Sequence, residues 1–275
     1  MDQRAKAEAL RDLHIPGDPL LLLNAWDAAS AVVIARGGAR AIATSSAAAA
    51  NALGYADGQH LTREQMLGAV AAIGGAVDLP VTADMEAGYG DEPDAAAATA
   101  RGVIEVGAVG LNMEDLQDGG DDLLPIERFA AKIAAVRAVG DETGIPLMLN
   151  ARTDVFLGGI GDPDSRLDHA VERGNAYLDA GADCIFVPGV IDTTVITGLV
   201  QGIHGSISVL AVPGSPRLSD LKALGVARIS TGSGPYRAAL ALARRMAQEA
   251  YGRGSLEEMI AAQVAFADAQ ALFPS

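Results

Sequence analysis

Short apolar runs, each followed by a helical pattern of ten or more residues, recur along the whole chain and set its expected architecture. The runs are Leu20 to Trp26, Ala41 to Ser46, Pro80 to Glu86, Gly110 to Asp115, Leu147 to Asp154, Cys184 to Pro188, Val209 to Pro213 and Arg228 to Gly232. They read as strands buried on both faces, the pattern of parallel sheets. Helix starts are marked at Thr62, Pro93, Pro125, Pro163 and Pro216, where acids, prolines or hydroxyl residues suit a first turn. Four small-residue turns lead from helix to strand: Arg-Gly-Gly-Ala-Arg, Val-Gly-Ala-Val-Gly, Asp-Ala-Gly-Ala-Asp and Ala-Leu-Gly-Val-Ala. Eight strand-helix units in about 250 residues predict an α/β fold, a (β/α)8 TIM-type barrel with its site at the C-terminal ends of the strands. A doubly wound sheet would want a Gly-rich phosphate loop after its first strand, and that strand ends here in Asn-Ala-Trp-Asp-Ala-Ala-Ser.

The catalytic barrel is expected over 1–250 and a C-terminal helical extension over 251–275. Tyr251-Gly-Arg-Gly-Ser255 breaks the chain, and Leu256 to Phe273 resumes as an amphipathic helix. Its Met259, Ile260, Val264, Phe266 and Leu272 are too many apolar residues for a helix left in water. It is expected to pack on a partner subunit.

With 275 residues, 50% of them hydrophobic, the chain can bury a large core. A net charge of -15 and the absence of any Lys/Arg cluster argue against a nucleic-acid surface. No run approaches the roughly 20 apolar residues of a membrane span. The charged start, Met1 to His14, lacks the apolar core of a secretory signal, so a cytoplasmic protein is expected. Cys184 is the one cysteine, which excludes an intrachain disulfide, and its setting in Asp-Cys-Ile-Phe-Val reads as an inert core thiol.

The chemistry lies at the strand ends. Val81-Thr-Ala-Asp-Met-Glu-Ala-Gly-Tyr-Gly90 places Asp84 and Glu86 two residues apart, on one face if both lie in a strand. Two unpaired carboxylates in one cavity repel unless a cation or proton joins them, and Mg2+ with few direct carboxylates and several waters fits best. Two further strands repeat the spacing, with Asn112 and Glu114, then Asn150 and Arg152. Three such pairs on consecutive strands predict one converging polar site. None of the four histidines lies at a predicted strand end; most read as surface residues, and His60, close to Asp57, stands nearest the site.

In order, Asn-Ala-Trp-Asp-Ala-Ala-Ser30, Gly-Tyr-Ala-Asp57, Ala-Asp-Met-Glu-Ala-Gly-Tyr-Gly90, Met-Glu-Asp115 and Asn-Ala-Arg-Thr-Asp154 resemble the isocitrate lyase / phosphoenolpyruvate mutase superfamily over nearly the whole length. The family's Asp-x-Asp before Gly-Tyr-Gly is Asp84-Met-Glu86 here, with a longer second acid. The resemblance implies a Mg2+ site, where Mn2+ can substitute, with Asp84 as direct ligand and Asp57, Glu86 and Glu114 holding its water shell. It implies that Arg152 grips a substrate carboxylate with its planar fork. Ser45, Ser46 and Ala47 would supply hydroxyl and N–H donors, Trp26 would wall the pocket, and Asn112 and Asn150 would contact substrate. Asp57, Glu114 and Arg152 are the expected catalytic residues. The lid, Glu114-Asp-Leu-Gln-Asp-Gly-Gly-Asp-Asp122, has neither the Lys-x-Cys-Gly of isocitrate-type lyases nor the Lys and Asn of mutases and hydrolases. With Gly119 and Gly120 it could serve as a mobile cover.

The implied reaction passes through a metal-stabilised enolate of a 2-oxo acid. Cleaving a carbon–phosphorus bond needs more positive charge than Arg152 and this acidic lid supply, so the expectation is carbon–carbon cleavage in a small 2-oxo or 2-hydroxy di- or tricarboxylate. A phosphonopyruvate hydrolase or phosphonomutase activity, and a non-catalytic acid-binding barrel, are the alternatives. The resemblance also implies a homotetramer, a dimer of dimers that exchanges a C-terminal helix.

Overall fold

The computed structural model describes residues 1–117, 120 and 122–273. Helix α1 (Gln3–Asp12) precedes strands β1 (Leu20–Leu22) and β2 (Asn24–Ala25), which one residue separates. There follow α2 (Ala28–Arg36), β3 (Ile42–Thr44), α3 (Ser46–Ala52), α4 (Arg63–Gly75), β4 (Val81–Asp84), α5 (Pro93–Glu105), β5 (Gly110–Glu114), α6 (Ile126–Thr143) and β6 (Met148–Arg152). The second half runs through α7 (Arg166–Asp179), β7 (Cys184–Phe186), α8 (Thr193–Gly202), β8 (Ser206–Leu210), α9 (Leu218–Ala223), β9 (Arg228–Ser230) and α10 (Gly234–Arg253), then α11 (Glu257–Ala262) and α12 (Phe266–Gln270).

All pairings between these strands are parallel. β1 pairs with β9 and β2 with β3, so the two short pieces are one stave broken at Leu23, and the sheet closes into an eight-stave TIM-type barrel. The caps work as the sequence suggests: Thr62 closes a capping box with Gln65, and Pro93 occupies the first turn of α5. An apolar layer between strands and helices forms the main core. A smaller cluster seals the floor, where Ala7 and Leu10 of α1 pack on Leu20, Leu22, Ala43, Met148 and Cys184. Gly110 makes room for that plug, since a Cβ there would lie 2.8 Å from Leu10 Cδ2.

Three expectations change. The seventh stave spans Ser206–Leu210 rather than Val209 to Pro213, because Ser206 and Ser208 interrupt the apolar run; Ser208 is nevertheless fully buried. α10 carries through Tyr251 and Gly252, and the break falls at Gly254, whose φ of +67° ends the helix in the left-handed region. Beyond it stand two short helices rather than one, because Gln263 is extended (ψ 140°). Arg36 of α2 donates to the carbonyls of Ala271 and Leu272, so the chain end lies against its own barrel.

The barrel wall is unevenly covered. On α10 only Glu249 is buried, while Leu21 and Leu23 beside β1 are 39% and 46% exposed. Among the described residues no helix is long and apolar enough to cross a membrane.

Candidate active site

β4 ends on Asp84 with its amide donating to Thr44 Oγ1 at 2.8 Å, which ties it to the end of β3. Its Oδ2 accepts from both Ser46 N at 3.0 Å and Ser46 Oγ at 2.7 Å. Glu86 lies beyond the strand, so alternation does not place it. Its backbone turns through φ +51°, and Tyr89 (+60°) and Gln59 (+58°) are left-handed as well. Those are the three non-glycine residues with positive φ among the described residues; Glu86 and Gln59 line the recesses here and Tyr89 bonds Glu86, and strain that tertiary contacts over-determine is typical of function. The contacts are specific. Glu86 Oε1 accepts from Gly58 N (3.2 Å) and Gln59 N (2.7 Å), and Oε2 from Tyr89 OH at 3.0 Å. The Ala87 to Gly90 turn is held from α6 by the buried Lys132 ammonium, which donates to Ala87 O and Gly90 O at 2.6 and 2.7 Å. Gly88 (φ +90°) fits because a Cβ there would meet Met113 Sδ at 2.8 Å.

β5 and β6 run side by side with Asn112 opposite Asn150 and Glu114 opposite Arg152. Arg152 Nη1 meets Glu114 Oε2 at 2.7 Å, while its Nε and Nη2 form a bidentate pair with Asp154 at 2.6 and 2.9 Å. Asp154 is placed in turn by Asp115, whose Oδ1 accepts its amide. Asp115 Oδ2 takes Tyr177 OH and Arg173 Nη1 at 2.7 and 3.1 Å, pinning the strand end to α7.

Three adjoining recesses share these side chains. One, of about 210 Å³, is lined by Ser45, Ser46, Ala47, Asp57, Asp84, Asn112 and Arg152 on its polar side and by Leu157, Phe186, Pro188 and Leu210 on its apolar side. The next, also about 210 Å³, adds Gly58, Glu86, Glu114 and Leu116. The third leads outward past Gln59, His60, Gln117 and Gly120. Asp118, Gly119 and Asp121, on which part of the expected cover falls, lie outside the described residues. Asn150 is fully buried and bonds Asn112 from below rather than lining the cavity. Ser45 Oγ serves as the α3 cap, accepting from Ala48 N at 3.3 Å. Trp26 lines a separate recess with Leu53, Tyr55 and Gln65, and stacks edge-on against Tyr236 of α10 with ring centres 5.5 Å apart. A larger, mostly apolar groove of about 570 Å³ lies at the base of α10 and holds none of the acids.

Burial and the neighbouring acids push Glu114 up to about 8, against the pull of Arg152. Asp57 and Glu86 are raised too, first by desolvation, and the Asp84 charge contributes to both. The charge on Arg152 holds despite burial because Glu114 and Asp154 stabilise it. The repulsion therefore converges on Asp84. Among the described residues no three acids, histidines or cysteines stand close enough to bind a metal ion together. Glu86 is committed to its three donors and Glu114 to Arg152, so Asp84, with Asp57 in the same recess, is the acid that could hold a metal ion directly. An all-oxygen set of this kind fits a hard cation that keeps most of its water, as Mg2+ does.

From sequence Asp154 is a strand-end acid and an alternative partner for Arg152, while Tyr89, Thr44 and the Gly58 and Gln59 amides have no role. Tyr89 and Asp154 stood inside quoted motifs, but only the fold shows which acid or base each one holds. His14, one of four histidines most of which read as surface residues, is buried at the floor, its ring Nδ1 2.8 Å from Leu10 O. Cys184 is buried as expected, and desolvation pushes its thiol up to about 12.

A barrel with acids, one clamped arginine and serine donors gathered at the C-terminal ends of its strands has the architecture of a TIM-barrel enzyme. Residues 10–251 match the phosphoenolpyruvate phosphomutase family, and the chain belongs to it, as an enzyme of the isocitrate lyase / PEP mutase superfamily. It is 36% identical over 241 residues to the uncharacterised protein Rv1998c of Mycobacterium tuberculosis (strain ATCC 25618 / H37Rv), covering 87% of this chain and 88% of that one. It is 31% identical over 191 residues to a 2-methylisocitrate lyase of Bacillus subtilis (strain 168), covering 67% of this chain and 60% of that protein. Among solved structures, a phosphonopyruvate hydrolase in complex with oxalate and Mg++ superposes with a TM-score of 0.85 at 25% identity, over 99% of this chain and 95% of that one.

Proposed function

We propose that this chain is a Mg2+-dependent cytoplasmic lyase that cleaves a carbon–carbon bond of a small 2-oxo or 2-hydroxy di- or tricarboxylate through an enolate. The observation that carries the reading is the convergence of Asp84, Glu86 and Glu114 on two adjoining recesses that share Ser46, Asp57 and Arg152, one of them with an apolar wall. When bound, Mg2+ or Mn2+ supplies Lewis-acid stabilisation of the enolate oxygen.

The protein's own groups do the rest. Arg152 has N–H groups beyond those on Glu114 and Asp154, and these bind a substrate carboxylate as a planar fork. The Ala47 amide donates to the same anionic end, beside Ser46, whose N–H and hydroxyl proton are taken by Asp84. Leu157, Phe186 and Pro188 exclude water from the carbon skeleton. Glu114, paired with Arg152, and Asp57 line one recess and are the acids placed to move a proton beside the bound acid. Carbon–phosphorus chemistry is disfavoured because Arg152 is the only Lys or Arg among the described residues lining the three recesses, and two acids already share it.

Exposed Leu21 and Leu23 beside an almost uncovered α10 support a homotetramer, in which a second copy shields this flank. Removing residues after Gly254 then lowers the oligomeric state or causes aggregation. Light scattering that finds a well-behaved monomer for the intact chain would reject this assembly.

The activity test is a panel of 2-oxo and 2-hydroxy acids incubated with Mg2+, with release of pyruvate or glyoxylate as readout. Turnover of phosphonopyruvate alone would favour the phosphotransfer relatives instead. Full turnover in excess EDTA would sink the metal-dependent reading.

A further inference from the structure

Below the cavity the barrel holds a guanidinium that no carboxylate contacts among the described residues. Arg228, on β9, is fully buried, with Nε donating to Ser230 Oγ at 3.2 Å and Nη2 to Asn112 Oδ1 at 3.1 Å. Asn112 Oδ1 also accepts from Asn150 Nδ2 at 2.9 Å. A guanidinium only donates, so the Asn112 atom that faces it must be the oxygen, which settles the orientation of the amide. With both lone pairs of Oδ1 engaged from within the barrel, the Asn112 side chain cannot turn over. Its Nδ2 group points the other way, has no partner among the described residues, and belongs to a residue that lines the Asp84 cavity.

Burying an arginine without an acid is expensive, and an apolar side chain would fill this layer at lower cost. What the guanidinium supplies, and an apolar residue cannot, is a fixed donor to Asn112. We infer that Arg228 is a positioning residue: it locks the Asn112 amide so that its N–H donors face the cavity and meet a carboxylate or enolate oxygen of the bound acid. Asn150 belongs to the same support, bracing Asn112 rather than touching substrate. The inference rests on the proposed reading that the cavity binds a 2-oxo acid. It adds the group that fixes one side of that acid, and a neutral donor suits an oxygen whose charge grows during reaction, because the amide needs no reorganisation.

The test uses the intact protein with Mg2+ and oxalate, the dianion that mimics a planar enolate, and measures affinity by calorimetry for wild type, Arg228→Met, Asn112→Ala and the double variant. Arg228→Met should weaken oxalate binding roughly tenfold, Asn112→Ala by a similar factor, and the double variant no further than Asn112→Ala alone. Arg228→Lys, which restores a donor, should recover part of the loss. Equal losses from Arg228→Met in both backgrounds would show an indirect structural effect and overturn the proposal. If Arg228→Met does not fold, the same cycle is run with Arg228→Lys, whose shorter reach to Asn112 leaves a measurable deficit. If wild type itself binds no oxalate, the 2-oxo-acid reading fails on its own, and crystal structures decide the positioning role. A changed Asn112 side-chain torsion in Arg228→Lys supports it, and an unmoved Asn112 overturns it.

Discussion

At the mouth of the barrel Asp57, Asp84, Glu86 and Glu114 line two adjoining recesses, whereas toward the floor Arg228 and His14 lie buried with no carboxylate in hydrogen-bond contact among the described residues. Burial acts on both ends with opposite signs. It raises the acids at the mouth, and it lowers His14 to about 3 and Arg228 to about 10. The mouth opens to solvent and can recruit a cation to settle its charge. The floor is sealed by α1, so His14 stays neutral and Arg228 leans on amide and hydroxyl dipoles. The same desolvation is thus usable chemistry where a ligand can enter and a stability cost where none can.

The largest expected effect comes from removing the centre of the mouth. Asp84→Ala should abolish Mg2+-dependent oxalate binding, a loss of more than about a hundredfold, because Glu86 and Glu114 are held by other partners and leave only Asp57 at the rim. Calorimetry that returns near-wild-type affinity would remove Asp84 from the metal site. Arg152→Lys should weaken substrate or oxalate binding by about tenfold to a hundredfold, since a charge-assisted hydrogen bond contributes roughly 1.5–3 kcal/mol and an ammonium cannot bridge Asp154 and a carboxylate in one plane. Unchanged KM and kcat would make Arg152 a structural partner of Glu114 and Asp154 alone.

The floor is probed by pH. The unfolded chain protonates His14 as pH falls through 6.5, but the folded chain resists until about 3, so His14 costs nothing above 6.5 and destabilises progressively between 6.5 and 3. Relative to its value at pH 7, the stability difference between His14→Gln and wild type should move in favour of the variant by about 2 kcal/mol at pH 5. Denaturant melts at the two pH values measure it, and a pH-independent difference would show that His14 titrates normally. The smallest change is Tyr89→Phe, which takes one donor from Glu86 and leaves two. A loss of about 1 kcal/mol, or roughly fivefold, in Mg2+-dependent affinity is expected. No change would mean that the Gly58 and Gln59 amides hold Glu86 without help.

Much of this could be read in advance where a residue's role follows from its neighbours in the chain. Asn112 with Glu114 and Asn150 with Arg152 share faces because strand alternation is local, and the Thr62 and Pro93 starts follow from capping chemistry. Glu86 reached the same cavity for a different reason than spacing gave. Its left-handed turn is stabilised by amides that stand 28 and 27 residues earlier in the chain. Trp26 stood within a quoted motif and was expected to wall the pocket, but it faces another recess, a matter of how the first stave leads into α2.

The sequence by itself determined the barrel, the strand ends that carry polar groups, and the family to which the chain belongs, because periodicity and motif order are properties of neighbouring residues. Only the tertiary structure decided that Arg152 is shared between Glu114 and Asp154, that Asn150 supports rather than lines the cavity, and that Arg228 reaches Asn112 from 116 residues away. Those pairings depend on barrel closure, which fixes distances that no local pattern encodes.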